Sequence, residues 1–207
     1  GPFGFITTKG NIETFINKGT IESTSQGGGE AAIRIQTAYL DFSTITHFTN
    51  EGTIKSSSNG VLIESGNKIG TLTNKGTIET QLNGISFFDW GGNPDNARLD
   101  KIILEPGSSI KAEKKGINIG HETTKNIKVD GIEVKAGASV SGDEAGIYLG
   151  ESKEITAPIT ISGTVSGGNA GIVNKGSITA PITISGTVSG GNAGIVNEGK
   201  MTKGITH

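Results

Sequence analysis

The 207-residue sequence predicts an all-β protein: a right-handed parallel β-helix, or solenoid, of about seven coils with three short strands per coil. Three observations predict it. ITAPITISGTVSGGNAGIVN runs from Ile155 to Asn174, and the same twenty letters return from Ile178 to Asn197, a period of 23 residues. Fixed periods of roughly 20 to 50 residues mark stacked, quasi-one-dimensional architectures. Degenerate copies of short phrases then spread this period over the whole chain. The 34 Gly, with many Ser, Thr and Asn, describe a backbone that turns often and leaves no room for an apolar stripe of helical period.

The phrases give the elements of each coil. One is an apolar residue, a spacer, then Asn, Lys or Glu, and Gly: FINKGTI (Phe15 to Ile21), FTNEGTI (Phe48 to Ile54), LTNKGTI (Leu72 to Ile78), IVNKGSI (Ile172 to Ile178) and IVNEGKM (Ile195 to Met201). Asn17, Asn50, Asn74, Asn174 and Asn197 are therefore expected to form an internal ladder of stacked amides. The glycine two residues later suits a corner that needs positive φ. A second phrase is a short alternating run whose first residues are Ala32, Gly60, Gly84, Gly116, Gly146, Gly171 and Gly194, in steps of 28, 24, 32, 30, 25 and 23. A third places Gly19, Gly52, Gly76, Gly107, Gly137, Gly163 and Gly186 just ahead of an Ile or Val.

Alternation makes these runs strands. Ile159 and Ile161 stand two apart, Val165 follows the Ser162-Gly163 turn, and Thr160 and Thr164 face the other way. Three strands and three turns in 23 residues leave no chain for a helical crossover, so each strand pairs in parallel with its equivalent one coil later. The inward set Ile155, Ile159, Ile161, Val165 and Ile172 is too small for a core alone and becomes one by stacking. A β-sandwich would not explain identical strands at a short fixed period. Handedness follows the general rule for parallel connections.

Residues 1–207 read as a single β-helical segment, with insertions interrupting the coils over 11–105 and regular coils over 106–207. Gly1-Pro2 looks like a cleavage scar, so a missing secretion signal says nothing. With no cysteine there is neither a disulfide framework nor a thiolate metal site, and a net charge of -2 with interspersed signs gives no reason to expect nucleic acid. No apolar run is long enough for a membrane-spanning helix, so direct membrane insertion by this segment is not expected.

NKGTIE (Asn17 to Glu22 and Asn74 to Glu79), TNEGTIK (Thr49 to Lys55) and SGTVSGGNAGIVNKG (Ser162 to Gly176) resemble the passenger regions of bacterial autotransporters, especially adhesin-like passengers of Gram-negative bacteria. The resemblance covers nearly the whole chain. It implies a right-handed parallel β-helix displayed at the bacterial cell surface or secreted, with roles in host-cell attachment, self-association or biofilm formation. No part resembles the membrane barrel that accompanies such passengers, and the Ser-protease signature of some of them is missing. An internal or amino-terminal piece of a longer protein is the implied reading.

Parallel β-helices also carry polysaccharide-degrading enzymes, which need paired carboxylates or a calcium site. The six Asp are Asp41, Asp89, Asp95, Asp100, Asp130 and Asp143, and only FFDWGGNPDNARLD (Phe87 to Asp100) gathers an enzyme-like set. Asn93-Pro94-Asp95 equally suits a surface turn. His47, His121 and His207 are scattered, so neither catalytic residues nor a metal or other cofactor is expected.

A binding surface is the better expectation. Two departures from the regular coil, Ile35 to Phe48 and Phe87 to Asp100, carry Tyr39, Asp41, Phe42, Phe88, Asp89, Trp90 and Arg98, residue types that anchor interfaces. Phe48 and Phe87 equally suit a wide part of the core, whereas Trp90, followed by Gly-Gly-Asn, is expected to be exposed. The two departures are expected on neighbouring turns of one face. The expected partner is a host cell-surface or matrix protein or glycan, or a second copy of the chain through outward Thr stripes such as Thr156, Thr160 and Thr164. A passive stalk is the third reading.

Overall fold

The computed structural model describes residues 4–7, 10–36, 43–89, 96–120 and 127–207. Every described element is a strand or a turn, and every strand pair is parallel. The chain winds as a right-handed parallel β-helix with three sheets. Sheet I holds eight strands, from Gly4–Thr7 through Ala31–Gln36, Asn59–Glu64, Ile85–Phe88, Lys115–Ile119, Ala145–Leu149 and Ala170–Asn174 to Ala193–Asn197. Sheet II begins Gly10–Asn17, Ser43–Asn50, Lys68–Asn74, Arg98–Leu104 and Lys128–Val134. Sheet III holds seven strands, Thr20–Ser23 to Thr187–Gly190. The chain winds six times between the first and last of those seven, so the coil count differs slightly from that read off the repeats.

Sheet II changes construction in its last coils. Each strand there splits in two, as in Glu154–Ile155 with Ile159–Ile161 and Ser177–Ile178 with Ile182–Ile184. Pro158 and Pro181 stand in the gaps, where a missing N–H removes a ladder bond. Their carbonyls still serve: the Pro181 carbonyl accepts from Ile159 N at 3.1 Å. The two identical segments lie directly on one another, Ile155 on Ile178, Ile159 on Ile182, Thr164 on Thr187 and Ala170 on Ala193.

Stacking makes the core. One inward row runs Phe15, Phe48, Leu72, Ile102, Ile132, Ile159, Ile182, Ile205 along the whole axis. Phe15 and Phe48 stack with ring centroids 4.9 Å apart, and Phe48 and Phe87 are both core residues. Branched aliphatics dominate because they fill a pleated inner surface with few rotamers to lose.

Three corner sequences join sheet II to sheet III, namely Asn-Lys/Glu-Gly, a four-residue turn with Gly107 or Gly137, and in the last coils Ser162-Gly163 and Ser185-Gly186, and the first corrects the expected role of glycine. At Asn-Lys/Glu-Gly corners the glycines do not have positive φ; a β-carbon at Gly52 would lie 2.0 Å from the Gly19 carbonyl oxygen, and one at Gly76 equally close to that of Gly52. Glycine is needed because the preceding coil's backbone occupies that space. Positive φ belongs to the second design, the four-residue turns at Glu105–Ser108 and Lys135–Ala138, where Gly107 and Gly137 both have φ of 84°.

The Asn residues also divide between two places. Asn17, Asn50 and Asn74 close sheet II: Asn17 Nδ2 donates to Asn50 Oδ1 and Asn50 Nδ2 to Asn74 Oδ1, both at 2.9 Å. Asn174 and Asn197 instead close sheet I, where Asn174 Nδ2 donates to Asn197 Oδ1 at 2.9 Å. Below Asn174 in that row lie Leu149 and Ile119, and beyond Asn74 in its row come Leu104 and Val134. One phrase thus serves two corners, replacing an aliphatic stack by an amide ladder at each. Asn59 and Asn83 at the corner from sheet III to sheet I extend the same chemistry: Asn83 N donates to Asn59 Oδ1 at 3.3 Å.

Candidate functional site

The corner from sheet I to sheet II is where the coils differ most. Between the strands it joins stand residues 37–42, 65–67, 89–97, 120–127, 150–153 and 175–176 in successive coils, a series that shortens from the third of these onward. The strands that bracket the two expected departures, Ala31–Gln36 and Ile85–Phe88, belong to the same sheet with Asn59–Glu64 between them. The departures therefore leave from one corner but from coils two apart, not from neighbouring turns. Tyr39, Asp41, Phe42 and Trp90 lie outside the described residues.

Phe88 and Asp89 meet the short turn of the preceding coil. Phe88 ends its strand opposite Glu64, half-buried, with its ring against the 24–30 connection, since a β-carbon at Gly29 would be 3.5 Å from it. Asp89 Oδ1 accepts from Ser65 Oγ at 2.7 Å. Arg98 is exposed on sheet II, opposite Lys68, and its N–H donates to Asn67 O at 2.9 Å. Lys68 is itself neutralised by Asp100 at 3.0 Å. Asp89 and Arg98 are thus both tied to the Ser65-Gly66-Asn67 turn, from opposite sides. Beside them, Arg34 grips the buried Glu64 with two nitrogens at 3.0 and 3.3 Å, the paired arrangement a buried carboxylate requires.

Two coils further on, the same corner forms a groove that the sequence reading did not single out. Tyr148, on the outer face of Ala145–Leu149, lines it with Gly120, Gly150, Glu151, Ser152, Lys153 and Lys175, around a space of about 400 Å³. The groove continues past Gly176 and Ser177 to Lys200. Ser152 has φ of 63°, a left-handed conformation uncommon for a residue with a side chain. Its turn closes with Lys153 N donating to Gly150 O at 3.3 Å. Lys153 is only 3% exposed, and its Nζ donates to Glu151 O at 3.0 Å. Burial pulls its ammonium below the ordinary lysine pKa, against the opposing pull of Asp89 and Glu151. Lys115 and Lys175 place their Nζ atoms 4.8 and 6.0 Å from the Tyr148 ring centroid. A signal for Tyr148 existed: from Ser86 onward its column of sheet I reads Asn118, Tyr148, Val173 and Val196, and only one of these coils spends an aromatic there.

Among the described residues no cluster of three or more His, Cys, Asp or Glu side chains forms that would hold a metal ion. No protein-family model, curated protein or solved structure matches this chain.

Proposed function

We propose that this chain is a binding rod of the adhesin-like autotransporter passenger class, held outside a Gram-negative cell and attaching it to a host cell-surface or matrix component without catalysis. The observation that supports this most is the corner from sheet I to sheet II. Along an otherwise uniform solenoid, the longer connections leave from one edge, and there the Asp89 carboxylate is held by the Ser65 hydroxyl while the Arg98 backbone N–H is held by the Asn67 carbonyl, leaving the Arg98 side chain exposed. Rigid coils presenting variable connections suit recognition, because little ordering cost is left for the bound state. The test is binding of the chain to host cells and immobilised matrix proteins. An Asp89→Ala/Arg98→Ala variant should bind about thirtyfold more weakly, the equivalent of about 2 kcal/mol, whereas Thr160→Ala/Thr183→Ala on the far end should not change binding. Absence of binding by the intact chain, or turnover of a polysaccharide, overturns the reading.

A specific observation favours self-recognition as a second reading. The outward row of sheet III reads Glu22, Lys55, Glu79, Lys111 in successive coils, all four exposed. None of them forms an ion pair within 4.0 Å among the described residues. Two rods lying antiparallel bring Glu22 against Lys111 and Lys55 against Glu79, so the row is complementary to itself when reversed. Exposed pairs are individually weak and screened by salt, which makes the contact effective only between densely displayed copies. Light scattering should show concentration-dependent association that disappears at high salt. Lys55→Glu/Lys111→Glu should abolish it, and mixing that variant with Glu22→Lys/Glu79→Lys should restore it; association indifferent to these reversals rejects this contact.

A further inference from the structure

We infer that the groove beside Tyr148 is a subsite for a carboxylate-bearing sugar ring, which would make an acidic glycan the component this rod attaches to. The inference rests on the binding-rod reading and adds the ligand's chemical class. Its size is right: about 400 Å³ falls within the usual span of small-molecule sites, roughly 300–1,000 Å³. Its walls are open because they are glycine. A β-carbon at Gly120 would lie 2.7 Å from Tyr148 Cε1, and one at Gly150 would lie 2.8 Å from Gly120 Cα. The aromatic ring therefore rests across bare backbone, offering an apolar surface on which the C–H face of a pyranose can lie while its hydroxyls meet Ser152 and the turn backbone.

Charge favours an acid, because Lys153 and Lys175 bring two cations against the one carboxylate of the lining, Glu151. Lys153 is buried at the groove with one side-chain hydrogen bond among the described residues, to Glu151 O at 3.0 Å, leaving two ammonium protons for a ligand. Lys175 stands at the rim, where Glu198 approaches it only to 3.8 Å. Lys115, by contrast, is already engaged with Glu144 at 2.7 Å and serves the ring rather than the ligand. A carboxylate between Lys153 and Lys175 gains charge-assisted hydrogen bonds and relieves a cation that burial otherwise penalises. Because the ring and the two ammonium groups lie in one groove, a bare anion satisfies half of the site and a neutral sugar the other half.

The experiment is a titration of the intact chain with glucuronic acid, glucose and acetate, followed by NMR shifts of the Tyr148 and Lys153 signals. Glucuronic acid should saturate at millimolar concentration, with glucose and acetate each at least tenfold weaker. Tyr148→Ala and Lys175→Ala should each weaken glucuronic acid about tenfold. Lys153→Met should remove binding while raising the thermal midpoint, a combination that simple damage to the fold does not produce. Equal binding of acetate and glucuronic acid reduces the site to an anion hole, and equal binding of glucose and glucuronic acid removes the role of the lysines; either overturns the proposal, as does silence of all three. If the chain attaches to cells but an acidic polysaccharide does not compete, the acidic-sugar inference fails and the binding-rod reading stands. If glucuronic acid binds and no cell or matrix does, the outcome is reversed.

Discussion

Replacing Gly76 by alanine is expected to cost about 3 kcal/mol or more of folding stability, although only a methyl group is added. The methyl carbon would sit 2.0 Å from the Gly52 carbonyl oxygen and 2.9 Å from Glu51 backbone atoms, and backbone cannot swing aside as a side-chain tip can. The same carbonyl accepts the Thr77 N–H at 2.9 Å, so moving it also breaks the ladder bond that holds the next coil. Gly19 occupies the same place in the first copy of the phrase and provides the control. Beyond its own chain neighbours, no atom of the described residues lies within 4 Å of the position an alanine methyl would take there, and its φ is not positive. Gly19→Ala should therefore stay within about 0.5 kcal/mol of the parent, because it also narrows the unfolded ensemble. Urea unfolding of the two variants measures the difference. Equal stabilities would mean that the coils do not approach as closely as the stacked corners require.

Asn50→Ala is the second large effect, expected at about 3 kcal/mol. Asn50 is fully buried in the middle of its ladder. Its Nδ2 reaches Asn74 Oδ1 at 2.9 Å and the carbonyls of Gly52 and Thr77 at 3.2 Å each, and its Oδ1 accepts from Asn17 at 2.9 Å. Alanine leaves all of these partners without their bond in a place water does not reach. Asn50→Leu should not rescue the loss, even though Leu104 occupies the same row two coils on, because the coil of Leu104 turns through the Pro106-Gly107 corner and asks nothing of its side chain. Asn197, exposed at the end of the other ladder, should cost less than half as much when replaced by alanine. A deficit under about 1 kcal/mol for Asn50→Ala would reject the ladder as a stabilising device.

The repeat made the fold readable. Isoleucine two residues from isoleucine, glycine at a fixed interval and a verbatim twenty-residue copy at a period of 23 leave parallel stacking as the economical solution, and the copies do lie one above the other. Corner identity was not readable in the same way. IVNKGSI and FINKGTI have the same letters where it matters locally, yet one ends sheet I and the other sheet II, because a tight turn reports its own geometry and not which face of the triangle it joins. The reason for glycine was hidden for a related cause: positive φ is a property of one residue, whereas a carbonyl 2.0 Å away belongs to a different coil. Asp89 and Arg98 were visible as residue types in an irregular stretch, but Lys153 gains its character only from burial, and Tyr148 only from the column it shares with neighbouring coils.

The superposition of the two identical segments has a genetic consequence. Ile155 to Ser177 contains a complete circuit of the triangle, with its own corner glycines, its own proline gap and its own closing Asn. Whatever lies above such a coil meets the surface that the coil itself was built to meet. Unequal recombination within the coding sequence can therefore add or remove a copy in one step, changing the rod's reach by about 4.8 Å while stacking the same strand residues on one another. Length in this part of the molecule is inherited as a count of copies, free to vary between lineages without a compensating mutation elsewhere.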